Sequence, residues 1–218
     1  MVIFDCNGVL VDSEPIAASV LADAFRRVGV ALTADVVAQR FHGRRPADIF
    51  AAVERTTTRK LPPDFAATVA AETLQRLRAE LRPIAHAAHA LTWIRGPKAV
   101  ASSSSLDRVR TSLEITNLLR FFSPRLFSAS DVANGKPAPD LYLLVAERLK
   151  LNPAECIVVE DSVAGIAAAK AARMRPIGFI GHSQAEGHLA RDLVAAGARA
   201  VIADMRALKG AIIELRGW

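Results

Sequence analysis

Apolar residues gather in six short, nearly unbroken runs, at positions 2–4, 99–101, 126–127, 156–159, 176–180 and 200–202. Runs of this length, bounded by turn residues, read as strands buried on both faces of a parallel sheet. The intervening segments 140–149, 162–172 and 185–196 carry apolar residues at helical spacing. That alternation is the rhythm of βαβ units, so the pattern predicts an α/β fold.

One region breaks the rhythm. From Ser13 to Leu81 no strand-like run occurs. Instead Ile16, Val20, Leu21, Ala24, Phe25 and Val28 recur on one helical face, and Gly29 follows as a helix stop. Segments 33–41, 46–54 and 63–80 each read as helical, with Gly43 and the Pro62–Pro63 pair as breaks. The expectation is a core built from 1–12 and 82–218, with 13–81 inserted as an all-helical unit.

Composition narrows the function. With 51% hydrophobic and 23% charged residues, the chain can fill a sizeable core and is not a disordered polymer. The net charge of +6 invites a nucleic-acid reading, but the basic residues are scattered among acidic ones, and one Tyr and two Trp offer few stacking platforms. The charge suits a small phosphorylated metabolite as well. Cys6 and Cys156 both lie in apolar runs and read as reduced, buried thiols. Because the chain opens directly on a strand no leader is expected, and no apolar run approaches the ~20 residues needed to cross a bilayer. A soluble, cytoplasmic protein that binds neither membrane nor nucleic acid is expected.

Four strand–helix junctions carry chemistry. The first run ends at Asp5, and Asn7 and the turn glycine Gly8 follow. Ligands of open α/β sheets bind beyond the carboxyl ends of strands, which aims Asp5 at a site. The second run ends in Ser102-Ser103-Ser104-Ser105, and a helix starts near Leu106; hydroxyls and free N–H groups there suit an anion, with Ser102 best placed to reach the sheet edge. The third junction, Gly135-Lys136-Pro137-Ala138-Pro139-Asp140, holds a lysine in a proline-stiffened loop. The fourth sets Glu160 and Asp161 side by side at a strand end; such carboxylates need a partner, and hard oxygen ligands suit Mg²⁺. Together these parts match phosphoryl transfer, in which positioning and charge neutralisation supply most of the catalysis.

In these motifs and their order the chain resembles the haloacid dehalogenase superfamily, in its branch of sugar-phosphate phosphatases and β-phosphoglucomutase-like proteins. The resemblance implies a Rossmann-like catalytic core and makes 13–81 the cap that closes over substrate. It implies that Asp5 attacks phosphorus, while Ser102 and Lys136 hold the phosphoryl oxygens and Ser103 and Ser104 contact substrate. It implies Mg²⁺ held by Asp5, Asp161, the backbone carbonyl of Asn7, and Glu160 directly or through water. Gly43, Arg44 and Arg45 fall where such proteins carry a specificity loop on the cap, and Glu14 stands at the cap hinge. A metal-free dehalogenase reading fits less well, because it would not need Glu160 beside Asp161. Action as a monomer on a small phosphate monoester is expected. A mutase, or a non-catalytic metabolite-binding protein, is the alternative.

Two positions depart from the family pattern. Asn7 stands where phosphotransferring relatives carry a second aspartate that exchanges protons with leaving group and water. An amide cannot do this at neutral pH, and the loss is worth about 10²–10⁴-fold in rate. Asn7 therefore marks either a disabled working site, a slow enzyme or a binding relic. Arg173 replaces a usual glycine before Met174. His86 and His89, three apart, lack the further ligands a zinc site needs.

Overall fold

The computed structural model describes residues 1–181 and 186–216. The elements in chain order are β1 (Val2–Phe4), α1 (Glu14–Arg27), α2 (Ala34–Phe41), α3 (Pro46–Thr57), α4 (Phe65–Glu80), α5 (Ala87–Trp93), β2 (Lys98–Ser102) and α6 (Leu106–Ile115). Then come β3 (Leu126–Ser128), α7 (Asp140–Arg148), β4 (Ile157–Glu160), α8 (Val163–Ala171), β5 (Arg175–Phe179), α9 (Glu186–Ala196), β6 (Ala200–Ile202) and α10 (Leu208–Arg216). All six apolar runs are strands, with bounds within a residue or two of those the pattern predicts. The helix expected over 185–196 is α9, although residue 185 itself lies outside the described residues. The helix expected over 46–54 runs on to Thr57, and that expected from 63 begins at Phe65.

The strands form one parallel sheet in the order β3-β2-β1-β4-β5-β6. This is a Rossmann-like α/β architecture. Successive residues of a strand face opposite layers, and the packing follows that rule. Val2 and Phe4 of β1 join Val100, Ile157 and Val159 in the layer that packs against α5, α6 and α10. Ile3 joins Ala99, Ala101 and Val158 under α7 and α8. Apolar burial on both faces explains why these strands read as continuous rather than alternating runs.

Chain order reverses at β1, which lies between β2 and β4. Register sets Phe4 opposite Val100 on one side and Val159 on the other, so the three carboxyl ends finish level. Asp5, Ser102 and Glu160 thereby gather at a switch point, where open sheets leave room for a ligand.

Helices α1 to α4 pack mainly on themselves. Val20, Phe25, Val37, Ile49, Phe65 and Val69 lie in a cluster apart from the two sheet layers. The rings of Phe25, Phe50 and Phe65 stack or meet edge to face at centroid distances of 5.2–6.3 Å. The chain leaves and re-enters the sheet along paired segments, with Asp12 N donating to Arg82 O and Ile84 N to Leu10 O. None of the described helices is long and apolar enough to cross a membrane.

Candidate active site

Asp5 follows β1 directly, and its backbone N–H donates to Val159 O at 2.9 Å. Its carboxylate is buried and accepts from Lys136 Nζ at 2.6 Å. The same ammonium donates to Glu160 Oε1 and lies 5.4 Å from the Tyr142 ring centroid. Burial acts against the charge on Lys136, but Asp5 and Glu160 outweigh it and hold the lysine well above its ordinary value. Burial also pushes Asp5 up; Lys136 opposes that rise, Glu160 and Asp161 add to it, and the net result is about 8.

Glu160 is fully engaged by the protein. Its Oε1 accepts from Lys136 and, at 2.8 Å, from Tyr142 OH. Its Oε2 accepts from Asp161 N and Ser162 N at 3.1 Å and from Ser162 Oγ at 3.0 Å. A Cβ on Gly165 would come within 2.0–2.2 Å of this carboxyl, so only glycine lets α8 approach so closely. These bonds use both of its oxygens. Its place is to fix Lys136 and the β4–α8 turn.

Among the described residues no three or more His, Cys, Asp or Glu side chains converge as a metal cluster. The donors that fit Mg²⁺ are fewer. Asp5 and Asp161 line one cavity, and both carboxylates are buried. Mg²⁺ needs only one or two carboxylates and keeps several waters, so this pair, with a backbone carbonyl, is an adequate donor set. Like charges buried together also favour a cation between them.

The serine run leaves β2 as a tight loop. Ser102 is buried, and its Oγ accepts from Ser104 N at 3.2 Å. Ser104 O accepts from Ser128 Oγ at 2.7 Å, tying the loop to β3. Ser105 caps α6 by accepting from Arg108 N at 3.4 Å. Asn7 joins this loop: its Nδ2 donates to Ser104 Oγ, and Ser13 Oγ donates to its Oδ1, both at 2.9 Å. An aspartate would fit the same space, because the Ser104 hydroxyl can turn to donate.

From the helical region, the loop between α2 and α3 descends onto these residues. Gly43 has φ +74° and its carbonyl accepts from Ser103 Oγ at 2.9 Å. A Cβ there would meet Ser162 Oγ at 2.4 Å, so glycine permits both the turn and the contact. His42 Nε2 lies 2.9 Å from Asp161 Oδ2. Burial disfavours the charged ring, yet Asp161, with Glu14 and Glu160, raises His42 to about 10. Arg44 and Glu14 line the cavity. Arg45 does not. It pairs with Asp48 at 2.9 and 3.1 Å and reaches the carbonyls of Ala129, Val132 and Ala133 at 3.4 Å. Its guanidinium fastens the loop to the sheet domain and lines a neighbouring cavity.

Three site residues escape the sequence reading. Tyr142 is the only tyrosine in the chain and is fully buried on α7, yet position alone gives no sign of its bond to Glu160. His42 carries no motif of its own. Arg108, two residues into α6, lines the cavity with two buried nitrogens unpaired. His86 and His89 do not share a site: His86 starts α5 at φ +63° and pairs with Asp204 at 3.3 Å, while His89 faces Trp93.

The geometry leads to the family. A model of haloacid dehalogenase-like hydrolases matches residues 1–173. The chain belongs to that family. It is similar to the 6-phosphogluconate phosphatase of Escherichia coli K12, 34% identical over 165 residues that cover 75% of each protein. A haloacid dehalogenase-like protein of Agrobacterium tumefaciens superposes with a TM-score of 0.82 at 34% identity, over 99% of this chain and 98% of that one. A family hydrolase of Deinococcus radiodurans R1, with bound phosphate and sodium, gives 0.74 at 32% identity over 99% and 95%.

Proposed function

We propose that the chain is a Mg²⁺-assisted phosphohydrolase for a small sugar phosphate, working through a phospho-aspartate on Asp5, with Asn7 holding turnover low. The observation that carries this is Asp5 at the end of β1 with Lys136 Nζ 2.6 Å away, in a cavity shared with the serine loop and Asp161. Support comes from the phosphatase relative and from the bound phosphate in the D. radiodurans neighbour.

In this reading Asp161, Asp5 and the Asn7 carbonyl hold Mg²⁺, which when bound offsets phosphoryl charge. An Asp5 carboxylate oxygen attacks phosphorus as the ester oxygen departs. Lys136 and the Ser102 hydroxyl cradle the phosphoryl oxygens, and Lys136 also aims the Asp5 carboxyl and opposes the rise that burial imposes on it. Water then releases phosphate from the acyl phosphate. Asn7 can neither protonate the departing oxygen nor activate that water, so both halves slow while ligand contacts persist.

Residues 13–81 act as the cap. The site cavity is about 60 Å³, below the ~300 Å³ at which small-molecule pockets begin. Substrate entry thus requires the α2–α3 loop to lift, breaking the His42–Asp161 and Gly43–Ser103 contacts.

The test is Mg²⁺-dependent phosphate release from a panel of sugar phosphates by this chain and its Asn7→Asp form. A gain of about 10²-fold or more on restoring the carboxylate is the expected result. No release by either form, with metal still bound, would leave a metabolite-binding protein, the reading Asn7 otherwise favours. An isomer in place of free phosphate would indicate a mutase.

A further inference from the structure

Arg108 serves no purpose in the chemistry above, and its setting is hard to explain by stability. It stands in the first turn of α6, where the helix dipole favours anions over cations. Its Nε and Nη2 atoms are buried without hydrogen-bond partners. Burying guanidinium nitrogens unpaired is unfavourable. Burial lowers its pKa; Glu14, Cys6 and Asp5 oppose this through space, but none of them bonds to either nitrogen.

Its position explains what the bare nitrogens are for. Arg108, Ser103 and Ser104 line both the site cavity and a second cavity of about 360 Å³, walled on the cap side by α3 and α4. That volume lies within the range of small-ligand sites. The second cavity is largely apolar, with Phe50, Val69 and Leu74 on one wall. The charged residues lining it are Arg45 and Arg108, and Arg45 is already neutralised by Asp48. Arg108 thus brings a guanidinium with two unbonded nitrogens to the lining that the Asp5 cavity and the larger chamber share.

We propose that Arg108 is a specificity residue that receives a second anionic group of the substrate, at the end remote from the phosphoryl ester. This rests on the phosphohydrolase reading and deepens it: the preferred substrates are phosphorylated sugar acids, not neutral sugar phosphates. The planar guanidinium fork matches a carboxylate or a second phosphate bidentately. Such an anion would satisfy Nε and Nη2 together. A hydroxymethyl group in its place would leave them bare, and sites with buried polar groups discriminate strongly against partners that leave those groups unpaired.

A matched pair of esters tests this. 6-Phosphogluconate and glucitol 6-phosphate differ at one end, carboxylate against hydroxymethyl. Calorimetric affinities for both, with Mg²⁺, would be measured on this chain, Arg108→Gln and Arg108→Lys, with phosphate release followed in the Asn7→Asp background. The expected result is at least about tenfold tighter binding of the acid by the unaltered chain. Arg108→Gln abolishes that preference by weakening the acid at least about tenfold more than the glucitol ester, and Arg108→Lys retains part of it. A glucose 1,6-bisphosphate arm tells whether a phosphate satisfies Arg108 as a carboxylate does. Equal binding of both esters by the unaltered chain overturns the inference and leaves the phosphohydrolase reading standing. So does an equal loss of both esters in Arg108→Gln, which would place Arg108 on the transferring phosphoryl group. Binding of neither ester overturns both.

Discussion

At the scale of the residue, the account turns on how burial changes chemistry. Asp5, Lys136 and Glu160 are buried ionisable groups, and Lys136 contacts both carboxyls while Tyr142 OH donates to Glu160. The same interior makes other groups inert. Cys6 and Cys156 have no exposed surface, and burial pushes both thiols up, with the Asp5 charge adding to the effect on Cys6. A raised pKa means less thiolate at any working pH, so neither thiol should react with Ellman's reagent at pH 8 until the protein is unfolded. Prompt labelling of Cys6 in the folded chain would show that the Asp5 loop opens far more than this packing allows.

Residue identity announced some of this and concealed the rest. Asp5, Lys136 and the Glu160–Asp161 pair were legible because charged residues at strand ends in a parallel sheet need a reason to be there. Tyr142, His42 and Arg108 were not, since each lies at a position where a core, loop or surface role is equally consistent with the pattern. Arg45 and Glu160 show a related limit. Sequence shows which groups carry charge, but not that Asp48, Ser162 or Tyr142 has already engaged them.

At the scale of the element, boundaries followed local signals closely where packing and propensity agree. β1 matches its apolar run residue for residue, because burial on both faces leaves no polar position to blur its ends, and β6 matches too although two of its three residues are half-buried. The C-terminus of α8 is the instructive exception. Arg173 takes φ +60° after it, with Arg173 N donating to Lys170 O and Met174 N to Ala169 O. This is a Schellman cap, whose left-handed residue is usually glycine. A side chain in that conformation costs about 1–2 kcal/mol, partly offset because glycine frees the unfolded chain by about 0.5–1 kcal/mol. Arg173 is exposed, so its side chain compensates little. Arg173→Gly is therefore expected to stabilise by up to about 1 kcal/mol, raising Tm by about 2–4 °C in a thermal melt. An unchanged or lower Tm would mean that the arginine contributes more than its exposure suggests.

At the scale of the whole molecule, one sheet carries the candidate site and one helical unit lies over it. The order of motifs along the chain foretold the sheet ends that meet. It could not foretell the closure, which depends on distant pairs such as Ser103 with Gly43 and His42 with Asp161. Both contacts join the α2–α3 loop to the residues that follow β2 and β4, so under the proposed function closure and completion of the site would be one event.

The central claim is that Asp5 is the nucleophile of a site whose proton transfer Asn7 has removed. Acetyl phosphate separates the two parts of that claim, because its leaving group departs without protonation while release of phosphate from Asp5 still needs an activated water. The chain would be incubated with Mg²⁺ and acetyl phosphate, quenched in acid, and its N-terminal peptide read by mass spectrometry, beside the Asn7→Asp form. The account predicts phosphate on Asp5 that persists in this chain and turns over in the Asn7→Asp form. Phosphate on another residue, or on neither protein, would contradict it.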